Sequence, residues 1–104
     1  MPLTRSFRET VLARAERDPA FRRGLLTEAL DCFLAGEIEE GKSILRDYVN
    51  ATVGFEELGR LTDKKPKSLM RMLSKEGNPR ADNLFAIISE LQAREGVTLS
   101  VEAN

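Results

Sequence analysis

Apolar residues recur every three to four positions through most of the chain, the spacing that gathers them on one face of a helix. Phe7, Val11 and Ala15 stand four apart, and Leu3 carries the stripe one turn back. Asp18-Pro19 reads as an N-cap followed by proline at the first helical position, where a missing N–H is not needed. The helix it opens holds Phe21, Leu25, Leu26, Ala29, Leu30, Cys32, Phe33 and Leu34. It is apolar around most of its circumference and is expected to lie buried between neighbours. Gly36 ends it. A third helix is predicted over 37–51, with Ile38, Gly41, Ile44, Leu45, Tyr48 and Val49 on one side and Glu39, Glu40, Lys42, Arg46 and Asp47 on the other. Glu37, Glu39 and Glu40 in its first turn suit the positive end of the helix dipole, a simpler account of them than acid–base catalysis.

Two short helical stretches follow Thr52-Val53-Gly54. The first holds Phe55, Leu58 and Leu61; the second, opened by Pro66, holds Leu69, Met72 and Leu73. Gly77-Asn78-Pro79 signals a turn, and a last helix with Leu84, Phe85, Ile87, Ile88 and Leu91 inward is expected to end near Gly96. Val97-Thr98-Leu99-Ser100-Val101 alternates apolar and polar, as a strand does. It is the one strand signal in the chain, and its backbone groups need partners. Those partners are a second copy or a different protein; the alternative is an extended tail packed on the body. The expected architecture is all-α: one domain spanning 1–104, with five to six helices and one short C-terminal β-strand. It divides into a helical extension over 1–35, a core over 37–95 and the strand over 97–101.

Composition narrows the chemistry. The 104 residues include no histidine and no tryptophan, and Cys32 is the only cysteine. Without an imidazole, Ser-His and Cys-His catalysis are excluded, and a lone thiol supplies neither a disulfide nor the usual zinc set. No glycine-rich phosphate loop occurs. An enzyme is therefore not expected, nor a metal or cofactor. The longest apolar runs are a few residues, against the roughly 20 that cross a bilayer. Residues 1–7 show no apolar block of the kind that directs secretion, so the chain reads as cytoplasmic, without a membrane partner.

The formal charge of -1 conceals strong segregation. Residues 24–59 carry a net -6, whereas Arg60, Lys64, Lys65, Lys67, Arg71, Lys75 and Arg80 face only Asp63 and Glu76, leaving +5 over residues 60–80. A short basic segment in an acidic chain marks a confined anion-binding face or a solvated helix bearing lysines.

That segment has the ingredients of a helix-turn-helix. Gly59 is small where two steeply crossing helices approach, and Asp63 stands where the turn needs left-handed backbone, which Asp tolerates better than most residues. Leu58, Leu61 or Thr62, Leu69 and Met72 anchor the pair. Lys67, Ser68 and Arg71 are left on the outer face of the second helix. Together with Gly77-Asn78-Pro79 and the Leu84-Ile87-Ile88-Leu91 helix, this succession resembles the lambda-repressor/Cro-like DNA-binding domains.

Thr4-Arg5-Ser6-Phe7, the run from Ile44 to Phe55, the run from Lys67 to Ser74, and Gly77-Asn78-Pro79 with Asp82-Asn83-Leu84 extend the likeness over nearly the whole chain. They resemble the small antidote proteins, or antitoxins, of bacterial addiction modules with RelE/ParE-like toxins. Asp63 stands where that family often has glycine, and Pro66 comes one residue later than is usual there. The resemblance implies a repressor of its own operon that also neutralises a toxin.

Such a helix enters the major groove N-terminus first, and Lys67 and Arg71 share a face. Arg71 is expected to read a guanine edge, with Lys67 and Ser68 beside it. Met70 either touches a thymine methyl or packs on the preceding helix. Phosphate contacts are expected from Lys64, Lys65, Lys75, Asn78 and Arg80, with a further one from the backbone amides at Phe55. Partners are thus double-stranded operator DNA, a RelE/ParE-like toxin and a second copy in a homodimer. The helices over 3–35 are either a toxin surface or an extension of the core. The competing function is a protein-interaction adaptor that does not bind DNA. RNA binding is weaker still, because the six aromatic residues fall mostly on predicted core faces.

Overall fold

Asp18 separates the first two helices and starts the second. The computed structural model describes residues 5–104, with the backbone alone for Arg5 and Ser6; α1 covers Arg5–Arg17 and α2 covers Pro19–Leu34. The Asp18 carboxylate accepts a hydrogen bond from the Phe21 N–H at 3.2 Å, which satisfies one open amide of the helix start. That bond holds its carboxyl below the usual range. Of the predicted α1 stripe, Ala15 is fully buried, Val11 half-buried and Phe7 53% exposed, while Leu3 lies outside the described residues.

Beyond Gly36 the chain forms α3 (Ile38–Ala51), α4 (Phe55–Thr62), α5 (Pro66–Met72) and α6 (Ala81–Glu95), which stops at Gly96 in the left-handed region. α2 lies along α3, and α1 bridges the two. α4 packs against both α5 and α6. Leu26, Leu45, Leu58, Leu69, Leu73 and Ile87 interlock at full burial, so one core joins the N-terminal helices to α4, α5 and α6.

The structure corrects three expectations. Among the described residues there is no β-strand: 97–101 is irregular backbone, so the fold is all-α without a C-terminal strand. The alternation serves packing instead. Val97 and Leu99 turn toward the body, and the Leu99 N–H is satisfied by the Gln92 side-chain oxygen at 2.7 Å rather than by a neighbouring strand. Second, α2 is not buried all round; Leu26, Ala29 and Cys32 are, while Leu34 is 65% exposed, with none of the described elements covering that side of its last turn. Third, Phe85 points outward at 60% exposure.

Candidate nucleic-acid interface

α4 and α5 are joined by the turn Asp63-Lys64-Lys65. Asp63 takes the left-handed conformation, φ 54°, and is the only non-glycine among the described residues at positive φ. The Lys64 N–H then closes the turn onto the Gly59 carbonyl at 3.0 Å. Gly59 is small for a steric reason: a Cβ there would sit 2.6 Å from the Lys64 carbonyl oxygen and 3.2 Å from Pro66. Pro66 starts α5, so the close approach fixes where that helix begins.

Leu69, buried completely, and Leu73 just beyond the helix root α5 in the core. Lys67, Ser68, Met70 and Arg71 are left exposed. Lys65, Lys75, Asn78 and Arg80 are exposed as well, and Lys64 is half-buried. Most of these cations lack a carboxylate partner. Arg60 pairs with Glu57 within α4, and Arg80 with Asp82 at 3.3 Å. No carboxylate among the described residues pairs with Lys64, Lys65, Lys67, Arg71 or Lys75. Like charges held unpaired on one short helix and its flanks give a positive field that an anionic backbone neutralises. The start of α4 is different: Glu56 and Glu57 occupy its first turn and already meet the dipole there.

Two basic residues that the pattern placed on the solvent side of α3 turn out to hold this region together. Lys42 is 1% exposed. Its ammonium donates to the Gly77 carbonyl at 2.6 Å and the Ser74 carbonyl at 2.9 Å, and pairs with Glu39 at 3.0 Å. Arg46, one turn on, donates to the Leu73 carbonyl at 3.0 Å. The Leu73 carbonyl caps the end of α5, and the Ser74 and Gly77 carbonyls belong to the loop after it. In the sequence, only the one-turn spacing of Lys42 and Arg46 hints at a shared target.

A second surface feature lies elsewhere. Leu34, Ile38, Leu84, Phe85, Leu99 and Val101 wall an apolar trough of about 510 Å³. Among the described residues, Asp31 is the only charged one lining it. Glu28, Asp31, Glu37 and Glu40 all act on the nearby Cys32 thiol, which burial pushes above its usual range and these carboxylates push further. The Cys32 sulfur and the Glu37 and Glu40 carboxylates come within 4.8 Å of one another. No helix among the described residues is long and apolar enough to cross a membrane.

No protein-family model, curated protein or solved structure matches this chain.

Proposed function

We propose that the chain is a sequence-specific DNA-binding transcriptional regulator, the antitoxin of a type II toxin–antitoxin module. In this reading it is a cytoplasmic homodimer without cofactor or enzymatic activity, which represses its own operon and neutralises a RelE/ParE-like toxin. The observation that carries the DNA half is the exposed, unpaired Lys67-Ser68-Arg71 face of α5, rooted behind by Leu69 and Leu73. α5 enters the major groove N-terminus first. Arg71 presents two donors to guanine O6 and N7, with Lys67 and Ser68 reaching adjacent edges. Lys64 and Lys65 before the helix, and Lys75, Asn78 and Arg80 after it, grip phosphates. Arg80 must leave Asp82 to do so.

Four phosphate-binding cations correspond to a salt slope of about -4 per protomer, too few for tight binding at cellular ionic strength. Two copies on half-sites about 34 Å apart double it. The test is titration of DNA from upstream of its own gene at several salt concentrations. A steep salt dependence and preference over unrelated duplex support the reading. Salt-insensitive or absent binding leaves the adaptor.

The toxin half rests on the resemblance to addiction-module antidotes. The apolar trough suits it: with no cation in its lining and a group of carboxylates beside it, it complements a partner segment whose apolar side chains are flanked by positive charge. Co-purification with the product of an adjacent toxin-like gene tests this half separately.

A further inference from the structure

We propose that Lys42 and Arg46 are positioning residues for DNA binding: from α3 they lock the end of α5 and the loop after it, and so set where Lys75 and Arg80 meet the phosphates. This rests on the DNA-binding reading above and adds the device that orients it.

An ammonium buried to 1% exposure is costly unless its donors are matched. Lysine ordinarily lets its long stem carry the charge out to water. Lys42 does the reverse, directing its ammonium at the Ser74 and Gly77 carbonyls, the Lys75 carbonyl at 3.5 Å and the Glu39 carboxylate. Three of these four acceptors belong to the loop, more than thirty residues on in the chain.

The loop has no other hold on α3. Ser74-Lys75-Glu76-Gly77-Asn78 contains no apolar anchor. Its remaining bonds are local: the Ser74 hydroxyl and N–H to the Arg71 carbonyl at 2.7 and 3.1 Å, and the Gly77 N–H to the Ser74 carbonyl at 3.1 Å. It is also folded tightly under α5, since a Cβ on Gly77 would fall 2.0 Å from the Arg71 carbonyl oxygen. Arg46 extends the clamp by one carbonyl, to Leu73. The end of α5 and the loop are thereby fixed to α3 as one piece, with Lys75 and Arg80 directed outward.

The experiment compares the unaltered protein with Lys42→Met, the double variant Lys75→Ala/Arg80→Ala, and all three changes combined. Each is titrated with duplex from upstream of its gene between about 50 and 200 mM salt, and thermal unfolding is followed alongside. Lys42→Met is expected to weaken binding about tenfold and to reduce the salt slope by about 2 per protomer, as loss of two phosphate contacts does. Added to the double variant it should weaken binding no further, because the same contacts are already gone. Additive losses or an unchanged slope overturn the proposal. Should Lys42→Met not fold, Arg46→Met is judged by the same criteria.

Amide exchange in the free protein supplies a readout without DNA. Lys42→Met should speed exchange at residues 74–77 and leave α1 and α2 as they were; unchanged exchange at 74–77 overturns the clamp. Failure of the unaltered protein to bind any duplex strikes the functional reading instead.

Discussion

The Glu95 carboxylate at the end of α6 accepts hydrogen bonds from the Tyr48 hydroxyl of α3 and the Arg22 guanidinium of α2. Arg23 adds an ion pair at 3.5 Å, and Arg22 also donates to the Ala15 carbonyl of α1 at 3.0 Å. One acidic side chain, 5% exposed, thus links four helices.

Burial pushes the Glu95 carboxyl up, but the bonds from Arg22 and Tyr48 more than offset it, leaving it below its ordinary value of 4.5. The stability it contributes is full above that value and is lost as pH falls through the lowered folded value. On the alkaline side, burial and then the bond to Glu95 push the Tyr48 hydroxyl above 10, so its contribution is full below pH 10 and is lost as pH rises through the raised value. Tyr48→Phe is expected to cost about 2 kcal/mol, the scale of a hydrogen bond to a charged group, and to remove the alkaline loss. Glu95→Gln should flatten the acid limb. Thermal melts across pH check both.

Arg71→Ala should lower operator affinity by about 1–3 kcal/mol and relax preference at one base position. Because Arg71 is exposed and lacks an ion-pair partner, the melting transition should hardly move, within about 0.5 kcal/mol. Competition titrations with single-base operator variants read the first effect, and calorimetry the second.

Phe85→Asp places a charge in the apolar trough at a side chain that is already 60% exposed. Toxin co-purification should be lost while helical content and DNA binding persist. Retention of the toxin by this variant would move the partner to another surface.

At Asp63 the left-handed backbone costs a non-glycine residue about 1 kcal/mol or more. Asp63→Gly should relieve that and remove a negative charge beside Lys64 and Lys65, raising both melting temperature and DNA affinity. Gly59→Val should do the opposite, since its Cβ meets backbone at 2.6 Å; a loss of about 2 kcal/mol or more in denaturant titration is expected.

Much of the architecture was legible in the chain. The Asp18 cap, the Gly36 and Gly96 stops, and the Gly59–Asp63–Pro66 turn are each encoded by residues whose backbone preferences act locally. Periodicity failed where long-range packing decides. Leu34 and Phe85 repeat at helical spacing, yet no element arrives to cover them. The alternation at 97–101 fits a strand because strands alternate, but an isolated extended segment has no ladder to join, and Leu99 docks on the body instead. Lys42 differs from its pattern for a related reason: the carbonyls it binds lie some thirty residues away in sequence, and Glu39 one turn back does not by itself tell that its charge is enclosed. The exposure of Lys67, Ser68 and Arg71 on α5 is legible because it follows directly from the phase set by Leu69.

Cys32 gives the protein a built-in reporter. It is the sole sulfhydryl, 6% exposed on the inner side of α2, and burial, with the nearby carboxylates adding to it, pushes its thiol above the usual range. An alkylating reagent can reach it only when α2 lifts, so the labelling rate at fixed pH is a stopwatch for that opening. A bound operator that slows the stopwatch does so by tightening this seam, and no engineered probe is required to see it.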